Sequence, residues 1–192
     1  MYAKPKKSLG QNFLVDPNIR RKIIASCGLK ASDIVLEIGS GRGELTRLIA
    51  ERVNKVYAVE IDANLCHILK ANLKGCANID IINKDILKFD LKRYFARRSC
   101  LRIKAIGNIP YYITTPIIER LLKIRDRIET IFITVQKEVA QRMVAQAGSK
   151  NYGAFSCFVQ YYTQAQIIFR IKRTSFLPSP KVDSCFLRLG IR

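Results

Sequence analysis

The chain has 192 residues, 48% of them hydrophobic and 26% charged, which suits one α/β domain with a full core. No apolar run reaches the roughly 18 residues that a membrane helix needs. The basic, polar stretch from Met1 to Gln11 has no apolar segment behind it, so neither a membrane span nor a signal peptide is read and the expected compartment is the cytoplasm. The charge is one-sided: 34 Lys and Arg against 15 Asp and Glu leave +19, a field that attracts polyanions and points to nucleic acid.

Basic residues load the N-terminus first. Lys4, Lys6, Lys7, Arg20, Arg21, Lys22 and Lys30 are opposed within the first thirty residues only by Asp16. Ile34 to Ile38 then reads as a buried strand, followed by a glycine-rich turn and a helix from Glu44 to Arg52. Lys55 to Glu60 is a second strand, Leu65 to Leu73 a helix, and Ile79 to Asn83 a short third strand. A second basic cluster, Arg93, Arg97, Arg98, Arg102 and Lys104, contains no acid. It runs into a fourth strand, Arg102 to Gly107. Thr115 to Lys123 reads as a helix, Ile128 to Val135 as a strand, and Lys137 to Ala147 as a helix; Phe155 to Tyr162, apolar nearly all round, fits a buried helix or a strand, with helix favoured. Ala165 to Ile171 and Ser184 to Leu189 close the chain as two strands joined by a proline-containing loop. Alternating strands and helices imply a mostly parallel sheet covered on both faces. The final pair, with no helix between its strands, is expected to be antiparallel.

Six cysteines, Cys27, Cys66, Cys76, Cys100, Cys157 and Cys185, are scattered without a Cys-x-x-Cys pair and read as reduced, mostly buried apolar residues. The single histidine, His67, falls in a helix, and no clustered ligands suggest a metal.

Glu37-Ile-Gly39-Ser-Gly41-Arg-Gly43 follows the first strand and opens a helix. Glycines there allow a tight turn and close approach of backbone N–H groups to a ligand. Glu60 ends the second strand, where a carboxylate can accept hydrogen bonds from both hydroxyls of a ribose. Together they indicate an adenosine-containing cofactor. The spacing is G-x-G-x-G rather than the dinucleotide G-x-G-x-x-G, and Asp85 after the third strand can receive an adenine amino group, which favours S-adenosylmethionine over NAD. Asn108-Ile-Pro-Tyr111 follows the fourth strand, at the carboxyl edge of the sheet. The N6 lone pair of adenine is delocalised into the ring. An amide oxygen from Asn108 and a nearby backbone carbonyl can each accept one N6–H, drawing the nitrogen toward tetrahedral geometry. Pro110 fixes the backbone so that these acceptors converge, and Tyr111 offers a ring for the base to stack on.

Along its whole length the chain resembles the KsgA-type family of small-subunit ribosomal RNA adenine N6,N6-dimethyltransferases. The resemblance rests on Leu9-Gly-Gln-Asn-Phe-Leu14, Glu37-Ile-Gly-Ser-Gly-Arg-Gly43, Val59-Glu-Ile-Asp62, Lys84-Asp-Ile86 and Asn108-Ile-Pro-Tyr111, in order. Val135-Gln-Lys-Glu-Val-Ala-Gln-Arg142, Gly148-Ser-Lys-Asn-Tyr-Gly153 and Phe176-Leu-Pro-Ser-Pro-Lys-Val-Asp-Ser184 complete it. Ser40 stands where the family often has proline, and Tyr112 where it often has asparagine.

This resemblance implies a Rossmann-like class I methyltransferase fold over residues 1–192, including the basic segment 1–30. It implies S-adenosylmethionine as cofactor, S-adenosylhomocysteine as product, and no metal. Asn12, Leu14, Gly39, Gly41, Glu60, Asp85, Ile86 and Asn108 would line the cofactor site. Asn108 would act in catalysis, with Tyr111 and Phe176 sandwiching the target adenine. The implied partners are ribosomal RNA and the small ribosomal subunit, with the protein a monomer and no membrane involved. The family continues into a small helical C-terminal domain, whereas this chain stops at Arg192, which reads either as an isolated catalytic domain or as a natural short form. Three alternatives remain: a large-subunit RNA methyltransferase of the antibiotic-resistance type, a non-catalytic nucleic-acid-binding relative, and a dinucleotide oxidoreductase. The last is disfavoured by the glycine spacing and the charge.

Overall fold

The computed structural model describes residues 5–96 and 102–192. Lys4, Arg97, Arg98 and Cys100, assigned above to the basic clusters and the reduced cysteines, lie outside the described residues.

Seven strands form the main sheet: β2 (Ile34–Ile38), β3 (Lys55–Glu60), β4 (Ile79–Asn83), β5 (Ile103–Asn108), β6 (Ile128–Gln136), β7 (Thr163–Ile171) and β9 (Ser184–Ile191). Two short strands, β1 (Phe13–Leu14) and β8 (Phe176–Leu177), form a separate antiparallel pair. The order across the main sheet is β4-β3-β2-β5-β6-β9-β7. The pairs from β4 to β6 are parallel, whereas β9 runs antiparallel to both β6 and β7, as expected of the closing strands. The chain winds outward from β2 to β3 and β4, then returns to place β5 and β6 on the other side. That reversal between β2 and β5 opens a crevice at the carboxyl ends of the strands, where ligands bind in sheets of this kind.

Side-chain alternation explains why the sheet is covered twice. Leu36, Ile38, Tyr57 and Val59 enter one buried cluster, and Val35, Val56, Ala58 and Ile106 enter another on the opposite face. The helices are α1 (Pro17–Ser26), α2 (Glu44–Ala50), α3 (Ala63–Asn72), α4 (Leu91–Ala96), α5 (Thr114–Leu122), α6 (Lys137–Met143) and α7 (Ala154–Tyr162). Two were not read from the sequence, α1 and α4. The start of α1 is well signalled, with Pro17 in its first turn and the Asp16 carboxylate accepting from the N–H groups of Asn18 and Ile19 at 2.9 and 3.2 Å. Its apolar residues Ile19, Ile23 and Ile24 are interrupted by Arg20-Arg21-Lys22, so the segment reads first as charge.

The two basic clusters also need correction. Lys104 is 5% exposed; its ammonium group donates to Asp33 at 2.7 Å and to the Gly28 carbonyl at 2.9 Å, so it braces β5 rather than facing a partner. In the first cluster, Lys6 pairs with Asp62 at 2.9 Å and Arg20 with Glu44 at 3.6 Å, acids distant in sequence. Among the described cysteines all five are free thiols, with Cys27, Cys66 and Cys185 buried, Cys76 partly so and Cys157 exposed. Burial pushes the Cys27 thiol up to about 12 against the pull of Lys104, so it is inert at neutral pH. No described helix is long and apolar enough to cross a membrane.

Candidate functional site

A cleft of about 820 Å³ opens at the switch point between β2 and β5. Four segments wall it: the N-terminal stretch Leu9–Phe13, the turn after β2, the ends of β3 and β4, and the turn after β5. Asn12, Gly39, Gly41, Glu60, Asp85, Ile86, Asn108 and Tyr111 all line it. The sequence placed each of these at the carboxyl end of a strand or in the N-terminal segment, and the fold brings them together.

The glycine turn is built on left-handed backbone. Gly39 and Gly41 have φ of +74° and +59°, a region costly to residues with a Cβ. A Cβ on Gly41 would only touch the Phe13 ring, at 3.4 Å, so the backbone conformation rather than space favours glycine there. The Gly39 N–H donates to the Val59 carbonyl at 2.9 Å, tying the turn to β3. The Gly41 N–H donates to Glu60 Oε2 at 2.9 Å, and the Asp62 N–H donates to Glu60 Oε1 at 3.0 Å. Each carboxylate oxygen thus spends one lone pair on the backbone and keeps another. Burial raises the Glu60 carboxyl above its usual range, against the lowering effect of these two N–H bonds.

Asp62 does more than the sequence suggested. It caps α3 by accepting from the Asn64 N–H at 3.0 Å, and it anchors the N-terminal segment through Lys6 at 2.9 Å and Gln11 at 3.4 Å. Burial works against its ionised form, but these hydrogen bonds outweigh it and hold the carboxyl below the ordinary range. Val59-Glu-Ile-Asp62 already contained this residue, but a contact 56 positions away leaves no local mark. Asp85 Oδ1 accepts from the Leu87 N–H at 2.9 Å, which fixes the carboxylate at the cleft wall.

Asn108 ends β5. Its Nδ2 donates to the Asn12 carbonyl at 3.0 Å. A carbonyl only accepts, so that bond identifies the NH₂ end of the amide and leaves Oδ1 on the other side. The Pro110 carbonyl accepts from the Ile113 N–H at 3.2 Å within the turn. The Tyr111 hydroxyl shares a hydrogen bond of 2.6 Å with Ser184 Oγ at the start of β9. Burial raises its phenol above the usual value, partly offset by Ser184, so the ring stays neutral. The neighbouring Tyr112 is 63% exposed at the cleft mouth, with its ring against Gly10, where a Cβ would lie 2.8 Å from it.

Two expected residues sit elsewhere. Phe176 is 3% exposed and belongs to the buried cluster containing Leu14, Ile23 and Phe186, so it does not line the cleft. The cause is the β1–β8 pairing, which sets Phe176 opposite Leu14, with the Val15 N–H donating to the Ser175 carbonyl at 2.9 Å. Leu14 is likewise buried and reaches only a smaller hollow beneath the glycine turn. That hollow also contains Glu37, 2% exposed, whose carboxyl burial pushes up to about 7. The Thr46 and Ser40 hydroxyls lie near enough to ease this, yet neither they nor Glu37 Oε2 completes a well-formed hydrogen bond among the described residues.

Residues 2–192 match the family model for ribosomal RNA adenine dimethylase. A ribosomal RNA small subunit methyltransferase A from Alkaliphilus metalliredigens is 45% identical over 186 residues, 96% of this chain and 65% of that protein. The protein of the same name from Levilactobacillus brevis is 47% identical over 189 residues, 97% of this chain and 64% of that one. Among solved structures, a dimethyladenosine transferase from Plasmodium falciparum superposes with a TM-score of 0.83 at 32% identity, covering 94% of this chain and 63% of that one. The 23S rRNA methyltransferase ErmE gives 0.82 at 31% identity, covering 94% and 70%. The sheet and its antiparallel closing pair are those of class I methyltransferases. The chain spans about 65% of the length of the curated relatives it matches.

Proposed function

Since the chain belongs to the ribosomal RNA adenine dimethylase family, we propose that it transfers methyl groups from S-adenosylmethionine to the N6 amine of adenines in small-subunit ribosomal RNA, giving N6,N6-dimethyladenosine. The observation that carries this reading is Asn108: its amide is oriented by the Asn12 carbonyl at the edge of a cleft that also contains Glu60 and Asp85.

The cleft fits an adenosine-containing cofactor. Glu60 keeps a lone pair on each oxygen for ribose hydroxyls, and one Asp85 oxygen is left by its bond to Leu87 for an exocyclic amine. Gly39 and Gly41 remove side chains where a ligand must approach the backbone. Ile86 is buried beside Asp85 and supplies apolar wall. When bound, S-adenosylmethionine supplies an electrophilic methyl on a sulfonium, so no base has to ionise the amine before attack. The protein's part is then electrostatic and geometric. Asn108 Oδ1 accepts an N6–H and draws the lone pair out of conjugation. The Tyr111 ring, fixed through Ser184, gives the base a stacking surface worth about 1–3 kcal/mol. The buried Phe176 contributes by packing β8 against β1.

The listed curated relatives, at 43–47% identity, carry the name of small-subunit enzymes, which supports the small subunit as substrate. Partition of labelled methyl between purified immature small subunits and large-subunit RNA tests it. Label in adenine of the small subunit is expected; label confined to large-subunit RNA, or none with either, rejects the assignment.

A further inference from the structure

Beyond the cleft lies a second, unassigned feature, at the end of β7. Arg170, Lys172, Arg173, Thr174 and Asp183 line an open basin of about 700 Å³, and Lys181 follows in the same loop. Over residues 170–183 four basic side chains accompany one acid. That acid is already committed. Asp183 accepts from Arg170 Nε at 2.9 Å and pairs with Arg170 Nη2 at 2.5 Å, and its other oxygen accepts from the Arg173 backbone N–H at 2.8 Å. Among the described residues, no ion pair engages the side chains of Lys172, Arg173 or Lys181. All four basic residues are exposed, and none belongs to a buried cluster. The arrangement is a surplus of cations gathered around a single carboxylate.

Its position gives the surplus a use. The residue after Asp183 is Ser184, whose hydroxyl is 2.6 Å from that of Tyr111. The charge of Asp183 is felt at the Tyr111 phenol, which it helps to raise. One short stretch of backbone therefore gathers guanidinium groups on one side and fixes the proposed stacking ring on the other. Guanidinium forks match the paired oxygens of a phosphodiester, and exposed cations on a loop suit a backbone that slides in from solvent.

Resting on the proposed RNA methyltransferase activity, we infer that Arg170, Lys172 and Arg173 form a seat for a backbone phosphate of the RNA strand flanking the target adenosine. Asp183 holds the seat open by fixing Arg170. The ligand is a single-stranded phosphodiester, read without regard to base. Sequence-independent contacts of this kind set register while the cleft selects the base.

The probe is a short single-stranded oligoribonucleotide with one adenine, and a set in which each linkage in turn is a neutral methylphosphonate. Binding is measured against salt for the unaltered chain, for Arg170→Gln/Lys172→Gln/Arg173→Gln, and for Lys172→Gln/Lys181→Gln, which leaves the Asp183 pair intact. A control, Lys70→Gln/Lys74→Gln, removes charge on and just after α3, which packs at the opposite edge of the sheet. The triple variant is expected to flatten the log K against log salt slope by about 0.7 for each phosphate it no longer neutralises. The double variant should flatten it less, and S-adenosylmethionine affinity should be the same in all four. One neutral linkage near the adenine should weaken binding to the unaltered chain and have no further effect on the triple variant. Equal slopes in the triple variant and the control would mean bulk charge only and overturn the seat. So would a neutral-linkage penalty that persists undiminished in the triple variant. If the unaltered chain transfers no methyl to adenine, the functional assignment falls and takes the seat with it. If it methylates while the triple variant binds identically, the seat alone is wrong.

Discussion

Replacing Glu60 by alanine removes the acceptor of two backbone N–H groups and the carboxylate lone pairs that face the cleft. The two effects have different readouts. Hydrogen bonds to a charged group contribute about 1.5–3 kcal/mol, so removing those to the ribose should weaken S-adenosylmethionine binding by roughly 10- to 150-fold. The orphaned N–H groups of Gly41 and Asp62 add a folding cost of about 1–3 kcal/mol, reduced by relief of the desolvation that raises the Glu60 carboxyl. At about 2–4 °C per kcal/mol for a domain of this size, thermal unfolding should shift down by a few degrees. Glu60→Gln keeps one acceptor oxygen and should fall between. Calorimetry on the folded variants separates binding from stability. A folded Glu60→Ala protein with unchanged cofactor affinity would refute the ribose role and leave Glu60 a structural brace of the glycine turn.

Three further outcomes follow from other residues. Asn108→Asp places an oxygen against the Asn12 carbonyl where Nδ2 now donates at 3.0 Å, so turnover at saturating cofactor should fall by about 10²-fold or more with RNA affinity nearly kept; near-normal turnover would contradict the orientation argued for the amide. Phe176→Ala empties a buried site and should cost about 3–5 kcal/mol of stability in denaturant titration, whereas a stacking ring at the surface would cost little stability and mainly turnover. Glu37, raised from 4.5 to about 7 in the fold, binds its proton more tightly folded than unfolded. Its contribution to stability is therefore largest below about 4.5 and is lost as pH rises to about 7, by something on the order of 3 kcal/mol. Glu37→Gln should remove that slope and be the more stable protein at pH 8; a variant with the same pH dependence would show that another group carries it.

The parallel strands β2 to β5 were legible because they are short apolar runs ending at glycine, acid or asparagine, and the same ends carry the cleft. Strand ends meet at one sheet edge, so Gly39, Glu60, Asp85 and Asn108 converge once the winding is known. What was not legible depends on contacts far apart in sequence. Two-residue strands such as β1 and β8 have no periodicity to read, and their pairing decides that Phe176 and Leu14 point into the core. Lys104 looks like any basic residue in a basic stretch until Asp33 is placed 2.7 Å from it. The order in which β9 inserts between β6 and β7, and with it the contact of Ser184 with Tyr111, is likewise invisible to local pattern.

The most direct test of the central claim is nucleoside mass analysis of small-subunit RNA after incubation with S-adenosylmethionine and either the unaltered chain or Asn108→Ala. Dimethylated adenosine with the unaltered chain, and little or none with Asn108→Ala under cofactor saturation, is the predicted result. Methyl groups on a nucleoside other than adenosine, or equal dimethyladenosine from both proteins, would contradict it.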